Sequence, residues 1–424
     1  MIGKTLYLCY FGLREPLVQT QVLPYLREIV KGGTAANILT FETNPKETWT
    51  CEQIAEMKQK LAAEGINWDF LTYHKRPSAP ATLFDVLCGA FYAWRLARRE
   101  NIDVFHARVH MPAMMGALAK KFLFGKRKPK LLFDIRGFFP EEYTDAGIWK
   151  ENGWLYKTVK KIEKWLFRES DGFVVLTEKA RDILFPESKE SGFDKFGRPV
   201  EVIPCCIDKK RFESAEIFDR EKIRRKLNIE NKKVFIYVGS FGGWYLTEDM
   251  ARFFAQAHSA DPDLFTIILT QRNLEQVKQT LQDKGLNEQD FLIKSVSPRE
   301  VPNYLNASDA AISFIKACYS KQSSSPTKIA EYLAAGLPVI SNSGVGDLDA
   351  LIENNRVGVI LQGFDQESYT KALENIEVLL QDTSLREHCR KIADEQFDLE
   401  KVAGERYRRV YEKILNERQK TLRS

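Results

Sequence analysis

The sequence predicts an α/β protein made of two doubly wound domains, and three observations carry that expectation. Short apolar runs that read as strands alternate with helical patterns from end to end, which is the signature of parallel sheets. The chain has 424 residues, enough for two domains that each bury a sizeable core. Near its middle, Val202 to Phe212 (VIPCCIDKKRF) ends a strand in proline and runs into a polar, charged segment, as a domain linker does.

In the first half the expected strands are Thr5 to Tyr10, Ala35 to Phe41, Trp68 to Tyr73, Asp103 to Ala107, Lys130 to Ile135, Gly172 to Leu176 and Val200 to Ile203. Helical stretches such as Leu83 to Arg99 and Leu155 to Arg168 lie between them. In the second half they are Val234 to Gly239, Phe265 to Thr270, Phe291 to Val296, Ala310 to Phe314, Pro338 to Ser341 and Val357 to Leu361. The last helix reads from Leu399 to Arg418, and the polar segment Glu187 to Arg198 reads as an exposed loop.

The stretch Ser323 to Ser343 (SSSPTKIAEYLAAGLPVISNS) holds the densest chemistry. Ser325 is expected to cap a helix whose first residue is Pro326, because proline there loses no needed N–H. Ile329, Tyr332 and Leu333 give that helix a buried face, Gly336 suits the left-handed position after it, and Pro338 stops it. A serine-rich turn (Ser323, Ser325, Thr327) running into a helix N-terminus suits a phosphate. Lys328 and Glu331 share one helix face, so the lysine can reach a diphosphate and the glutamate can hold two sugar hydroxyls; a plain i,i+3 ion pair is the alternative.

This stretch resembles the nucleotide-sugar-binding segment of glycosyltransferase family 4, a retaining family with the GT-B fold, in the branch with a Ser-Pro-Xaa-Lys variant. Glu331, Gly336, Pro338, Val339 and Ile340 match its motif, with Ser323 standing where the family has a first glutamate. The linker is similar too, through Ile203, Pro204, Ile207, Asp208 and Phe212, with Cys205 and Cys206 in place of Asn-Gly. The resemblance implies two Rossmann-like domains facing a cleft: an acceptor-side domain over 1–204, a nucleotide-sugar domain over 205–398, and a C-terminal helix, 399–424, that crosses back to the first domain. It also implies that Glu331 binds the donor ribose.

Ligands in open parallel sheets sit beyond the C-terminal strand ends, which selects four further places. Tyr10 to Gln21 carries Gly12, where the family has two glycines, and the polar Gln19 and Gln21. Asp103 to Met115 places His106, Arg108 and His110 at a strand tip; these are candidates for a sugar or an anion, or for structural pairing. Phe133 to Tyr143 brings Asp134, Arg136 and Glu141, with a run similar to the Asp-Xaa-Arg-Gly-Phe of one family branch. Buried charges of this kind are paired or ligand-facing, and an acceptor-side role is expected for Asp134, Arg136 and Arg108. Tyr237 to Asp249 offers Gly239, Gly242 and Gly243 for close backbone approach to phosphate, with Ser240 where the family has arginine. The missing cation is expected from Lys328, then from Arg272.

No carboxylate pair or His/Cys spacing points to a metal, so neither metal nor cofactor is expected. Seven scattered cysteines fit a reducing compartment, and no apolar run reaches the ~18 residues of a spanning helix. The formal charge of +5 is too mild for nucleic acid to be the main partner. Residues 120–168 nevertheless hold an excess of seven basic residues with Trp154, Trp165 and Phe167 among them, a composition suited to an anionic membrane surface or to a solvated basic helix. The expectation is a cytoplasmic, metal-independent, retaining glycosyltransferase, with peripheral contact at the inner membrane face and a solvated basic helix as the two readings of that stretch. It would transfer sugar to a glycan or lipid-linked glycan in surface polysaccharide biosynthesis. A nucleotide-sugar epimerase of the same fold and a non-catalytic nucleotide-sugar binder are the rivals.

Overall fold

The structure, a computed structural model, describes residues 3–123, 128–212 and 220–423, with side chains as far as residue 416. It divides into two compact units, Met1–Pro204 together with Leu399–Ser424, and Cys205–Asp398. All pairings between the strands named below are parallel.

The first unit has seven strands: β1 (Gly3–Leu8), β2 (Thr34–Glu42), β3 (Ile66–Thr72), β4 (Val104–Arg108), β5 (Lys130–Asp134), β6 (Gly172–Val175) and β7 (Val200–Val202). Their order is β3-β2-β1-β4-β5-β6-β7, so the direction of winding reverses between β1 and β4. Loops at such a switch point splay apart and leave room for a ligand. One face of this sheet is apolar: Leu6, Leu8, Phe105, Leu131 and Phe133 pack with Ala90, Ala93, Ala113 and Ala117 from the Ser78–Glu100 and His110–Lys121 helices. The opposite face mixes Ile38, Val104, Leu132 and Val174 with Thr5, Tyr7, His106 and Asp134, and the C-terminal Glu405–Arg423 helix packs on it. Tyr411 Oη lies 2.9 Å from Thr5 Oγ1, Arg406 donates to the Val202 carbonyl at 2.6 Å, and Lys413 pairs with Glu201 at 3.0 Å. The chain enters that helix through a π-helical turn, Leu399–Gly404, so regular helix begins later than the sequence pattern implied. Within the expected loop 187–198, a short Ser188–Ser191 helix forms, and Asp194 accepts the backbone N–H groups of Phe196 and Arg198.

The second unit has six strands: β8 (Lys233–Val238), β9 (Leu264–Leu269), β10 (Phe291–Lys294), β11 (Ala310–Ser313), β12 (Val339–Asn342) and β13 (Gly358–Leu361). Their order, β10-β9-β8-β11-β12-β13, places the switch point between β8 and β11. Both faces are buried. On β8, Val234 and Ile236 enter one core while Phe235 and Tyr237 enter the other, as strand alternation demands of a doubly covered sheet.

Candidate functional site

In the second unit the chain leaves β8 through Gly239, whose N–H bonds to the Leu269 carbonyl at 2.9 Å. Gly239, Gly242 and Gly243 all take positive φ (145°, 106° and 65°), a path that side-chain-bearing residues resist. Together with Thr270, Gln271, Arg272 and Asn273 beyond β9, and with Val296 and Val301, this loop lines a cavity of about 700 Å³. Ser240 and Arg272 are exposed there.

The Thr327–Ala334 helix packs against the same loop. Tyr332 is buried, and its hydroxyl accepts from the Val238 N–H at 2.9 Å, which fixes the end of β8 where the glycine turn begins. Gly336 follows the helix at φ +79°, and a Cβ there would lie 2.9 Å from the Arg386 carbonyl oxygen, so glycine is required twice over. The start of the helix departs from expectation. Pro326 is the extended residue ahead of it and Thr327 is its first residue. Ser325 caps nothing, because its Oγ accepts the Cys205 N–H at 3.0 Å instead. Ser323 is buried and donates to the Ser320 carbonyl at 2.8 Å.

Lys328 is buried, and its Nζ has no hydrogen-bond partner among the described residues. It lies 4.2 Å from the ring centre of Tyr237 and 3.8 Å from that of Tyr245. A Cβ on Gly239 would come within 2.7 Å of it, so the ammonium sits directly against the glycine turn. Burial brings its pKa down to about 7, against a smaller opposing pull from Glu331. The i,i+3 ion pair is not made: Glu331 accepts from Arg211 Nη1 at 3.1 Å. Burial raises the Glu331 carboxyl, and Arg211 and Lys328 only partly offset this. A second cation, Lys321, stands 3.9 Å from the ring centre of Trp244, the residue after Gly243.

In the first unit the residues at the switch point form one buried polar cluster. Register sets Tyr7 beside His106 and Arg108 beside Asp134 on neighbouring strands. Asp134 Oδ2 accepts from Tyr407 Oη at 3.1 Å and lies 3.5 Å from His106 Nε2 and 4.0 Å from Arg108 Nη1, while its Oδ1 is 3.5 Å from Arg136 Nη1. Burial alone would raise the Asp134 carboxyl, but Arg136, His106 and Arg108 together hold it well below the usual range. His106, also fully buried, has its Nδ1 3.0 Å from Tyr411 Oη; burial lowers its pKa, against an opposing pull from Asp134. Nε and Nη1 of the buried Arg108 make no hydrogen bond among the described residues, and neither does Tyr7 Oη. Val109, next to Arg108, holds φ +63°, a strained value for a β-branched residue at a strand–helix junction. Arg136 donates to Gln21 Oε1 at 3.3 Å. Of the other candidates, Gln19 bonds the Leu13 carbonyl at 2.7 Å, His110 meets Glu163 at 3.1 Å and Glu141 meets Lys160 at 3.0 Å, all of them structural pairings.

Residues 219–396 match the family model described as Glycosyl transferases group 1, and residues 53–211 match the model Glycosyltransferase Family 4. The chain is a glycosyltransferase of the GT-B type. A glycosyltransferase from Rickettsia africae shares its fold at a TM-score of 0.67 and 16% identity, over 97% of this chain and 99% of that one. The Anabaena protein HepE, solved with UDP, gives 0.65 at 16% identity, over 95% and 98%. Sucrose-phosphate synthase from Thermosynechococcus elongatus gives 0.69 at 14% identity, over 96% and 99%. No curated protein sequence gives a match.

In this glycosyltransferase the glycine loop carries no cation of its own. Two cations from the 319–334 segment stand beside it, Lys328 against the ring of Tyr245 and Lys321 against that of Trp244. Sequence reasoning found Lys328 but not Lys321, Arg211, Tyr407 or Tyr411. The WY pair directly after the glycines was the available signal for the two lysines, since aromatic faces attract cations. Nothing local marks Arg211 as the partner of a glutamate 120 positions away. Among the described residues no group of three or more His, Cys, Asp or Glu is arranged to hold a metal, and no helix is long and apolar enough to cross a membrane.

Proposed function

We propose that this glycosyltransferase moves a sugar from a nucleotide-sugar donor to a hydroxyl of a glycan or lipid-linked glycan acceptor, with retention at the anomeric carbon, in surface polysaccharide biosynthesis. The observation that carries the donor side is Lys328: a buried amine without a hydrogen-bond partner among the described residues, pressed against a glycine turn that lines a cavity of about 700 Å³. Burial disfavours the charged form of that amine, and an anion laid along the glycine turn would offset this by stabilising the ammonium, so that the lysine takes up a proton from solvent.

In this reading the diphosphate lies on Gly239, Gly242 and the start of the helix at Thr327, and Glu331, steadied by Arg211, accepts the ribose hydroxyls. As the bond from the anomeric carbon to the phosphate oxygen breaks, its electron pair stays on the diphosphate. Lys328 and Lys321 stabilise that charge, the task a divalent ion would otherwise perform. The acceptor oxygen bonds to the same face of the anomeric carbon, and its proton passes to the leaving phosphate oxygen. On the acceptor side, Arg108 and Arg136 contact the acceptor, while His106 and Asp134, fully buried and bonded to Tyr411 and Tyr407, hold those arginines in place.

The test is a thermal-shift panel of nucleotide sugars, followed by acceptor screening with the best binder and NMR of the product's anomeric configuration. A stabilising nucleotide sugar that yields a retained glycoside is the expected result. Stabilisation with donor epimerised and no acceptor consumed, or with no turnover at all, would favour one of the two rival readings.

A further inference from the structure

The Ser78–Glu100 helix is amphipathic the wrong way round. Small residues, among them Ala81, Gly89, Ala90, Ala93 and Ala97, fill its buried face, and Gly89 admits Met115 so closely that a Cβ would meet its sulfur at 2.5 Å. Val86 and Leu96 are buried with them, but four large apolar side chains point out. Leu83, Phe84, Leu87 and Phe91 are 53% to 62% exposed and fall within an arc of about 100° at the helical repeat. Phe122, 62% exposed, extends the patch, because its carbonyl accepts from Trp94 Nε1 at 3.2 Å and the Trp94 ring lies 5.5 Å from that of Phe91.

The charge around this stripe has one sign. Lys75 and Arg76 are exposed just before the helix, and Arg95 and Arg98 continue the same arc at its far end. The acid between them, Asp85, is buried, where it accepts from Tyr10 Oη and the His74 N–H. A second copy laid on the stripe about a twofold axis would bring these basic ends together, which disfavours self-pairing. An apolar stripe of Leu and Phe, flanked by Lys and Arg, is complementary to the interface of a bilayer that carries anionic head groups.

We propose that this face rests on an anionic membrane surface, with Leu83, Phe84, Leu87 and Phe91 entering the head-group layer and Lys75, Arg76, Arg95 and Arg98 meeting lipid phosphates. This moves the membrane contact away from the Trp154–Glu169 helix. There Phe167 packs against Phe133, Phe173 and Phe185, Trp165 bonds Glu169 at 2.9 Å, and Trp154 alone of the three aromatics is exposed. Residues 124–127 of the basic stretch lie outside the described residues. The proposal does not depend on the reaction catalysed.

The test is co-sedimentation of the full chain with sucrose-loaded vesicles of phosphatidylcholine alone or mixed with phosphatidylglycerol, with size-exclusion chromatography alongside. The wild type should pellet with the mixed vesicles. The combined Phe84→Ser, Leu87→Ser, Phe91→Ser variant should lose at least about tenfold in bound fraction, and Arg95→Glu with Arg98→Glu a similar factor. Trp154→Ser, on the other helix, should pellet as wild type does. Circular dichroism checks that each variant is folded; these side chains are exposed, so the melting point should hold. A wild type that stays in the supernatant, binding that ignores phosphatidylglycerol, a serine variant that pellets normally, or a wild-type dimer that the variant turns into monomer would each overturn the proposal, the last assigning the face to a second copy.

Discussion

The Tyr407 hydroxyl donates to Asp134 Oδ2 at 3.1 Å, across 273 positions of sequence. One step along the helix, Tyr411 reaches His106 and Thr5 at 3.0 and 2.9 Å. The C-terminal helix is thus bonded to Thr5 of β1, His106 of β4 and Asp134 of β5 through two buried hydroxyls. Removing one leaves a buried carboxylate short of a donor, a loss of roughly 1–3 kcal/mol. Tyr407→Phe should therefore lower unfolding free energy by about that amount in a urea titration. The folded-state pKa of Asp134 lies below its unfolded value, so its contribution is complete above an unfolded pKa of about 3.9 and fades as pH falls below it. The difference between wild type and variant should hence be largest near neutral pH and shrink in acid.

Glu331 is held by Arg211, with which it forms an ion pair at 3.1 Å. If it binds a ribose, Glu331→Ala should weaken nucleoside diphosphate affinity by about ten- to a hundredfold, the scale of a charged hydrogen bond, without lowering the melting point much. Arg211→Ala should weaken it less, since the carboxylate stays but loses its orientation. Calorimetric titration with UDP as probe checks both, and unchanged affinity in Glu331→Ala would remove the ribose assignment.

Arg108 has two buried donors without a hydrogen-bond partner among the described residues. On the acceptor-side reading, Arg108→Ala and Arg136→Ala should each cut kcat/KM by about ten- to a hundredfold while donor affinity stays at the wild-type value. A parallel loss of UDP affinity would place these arginines in the donor site instead.

Turnover should persist in excess EDTA, because the cations assigned to the leaving group are lysine side chains. Activity abolished by chelator and restored by magnesium or manganese would show that the lysines do not suffice.

The strands were legible because a sheet covered on both faces needs near-continuous apolar runs, and runs such as Val234 to Tyr237 and Ile267 to Leu269 have no solvent-facing position to blur them. The glycine turn and Gly336 were legible for a local reason as well: positive φ is a property of the residue and its neighbours. What failed was the fate of side chains settled at long range. Ser325 looked like a cap until the Cys205 N–H, supplied by the linker, took its oxygen. The sequence left an i,i+3 pair of Lys328 with Glu331 open as the alternative to ligand binding; burial of the lysine and the bond from Arg211 to the glutamate decide against that pair. For His106 and Asp134 the sequence left pairing and ligand contact both open, because the tyrosines that engage them come from the far end of the chain.

The most direct measurement for the central claim is UDP affinity as a function of pH in wild type and in Lys328→Met. Lys328 titrates near pH 7 in the free protein, and a bound diphosphate should raise its pKa. Binding above pH 7 must then take up a proton, so wild-type affinity should fall by up to about tenfold per pH unit between pH 7 and 9. Calorimetry in buffers of different ionisation enthalpy should register that proton. In Lys328→Met the affinity should be weaker and flat over the same range, and turnover should drop by roughly a hundredfold or more. A wild type whose affinity is flat above pH 7 and takes up no proton, or a methionine variant with normal turnover, would contradict the assignment of Lys328 to the leaving diphosphate.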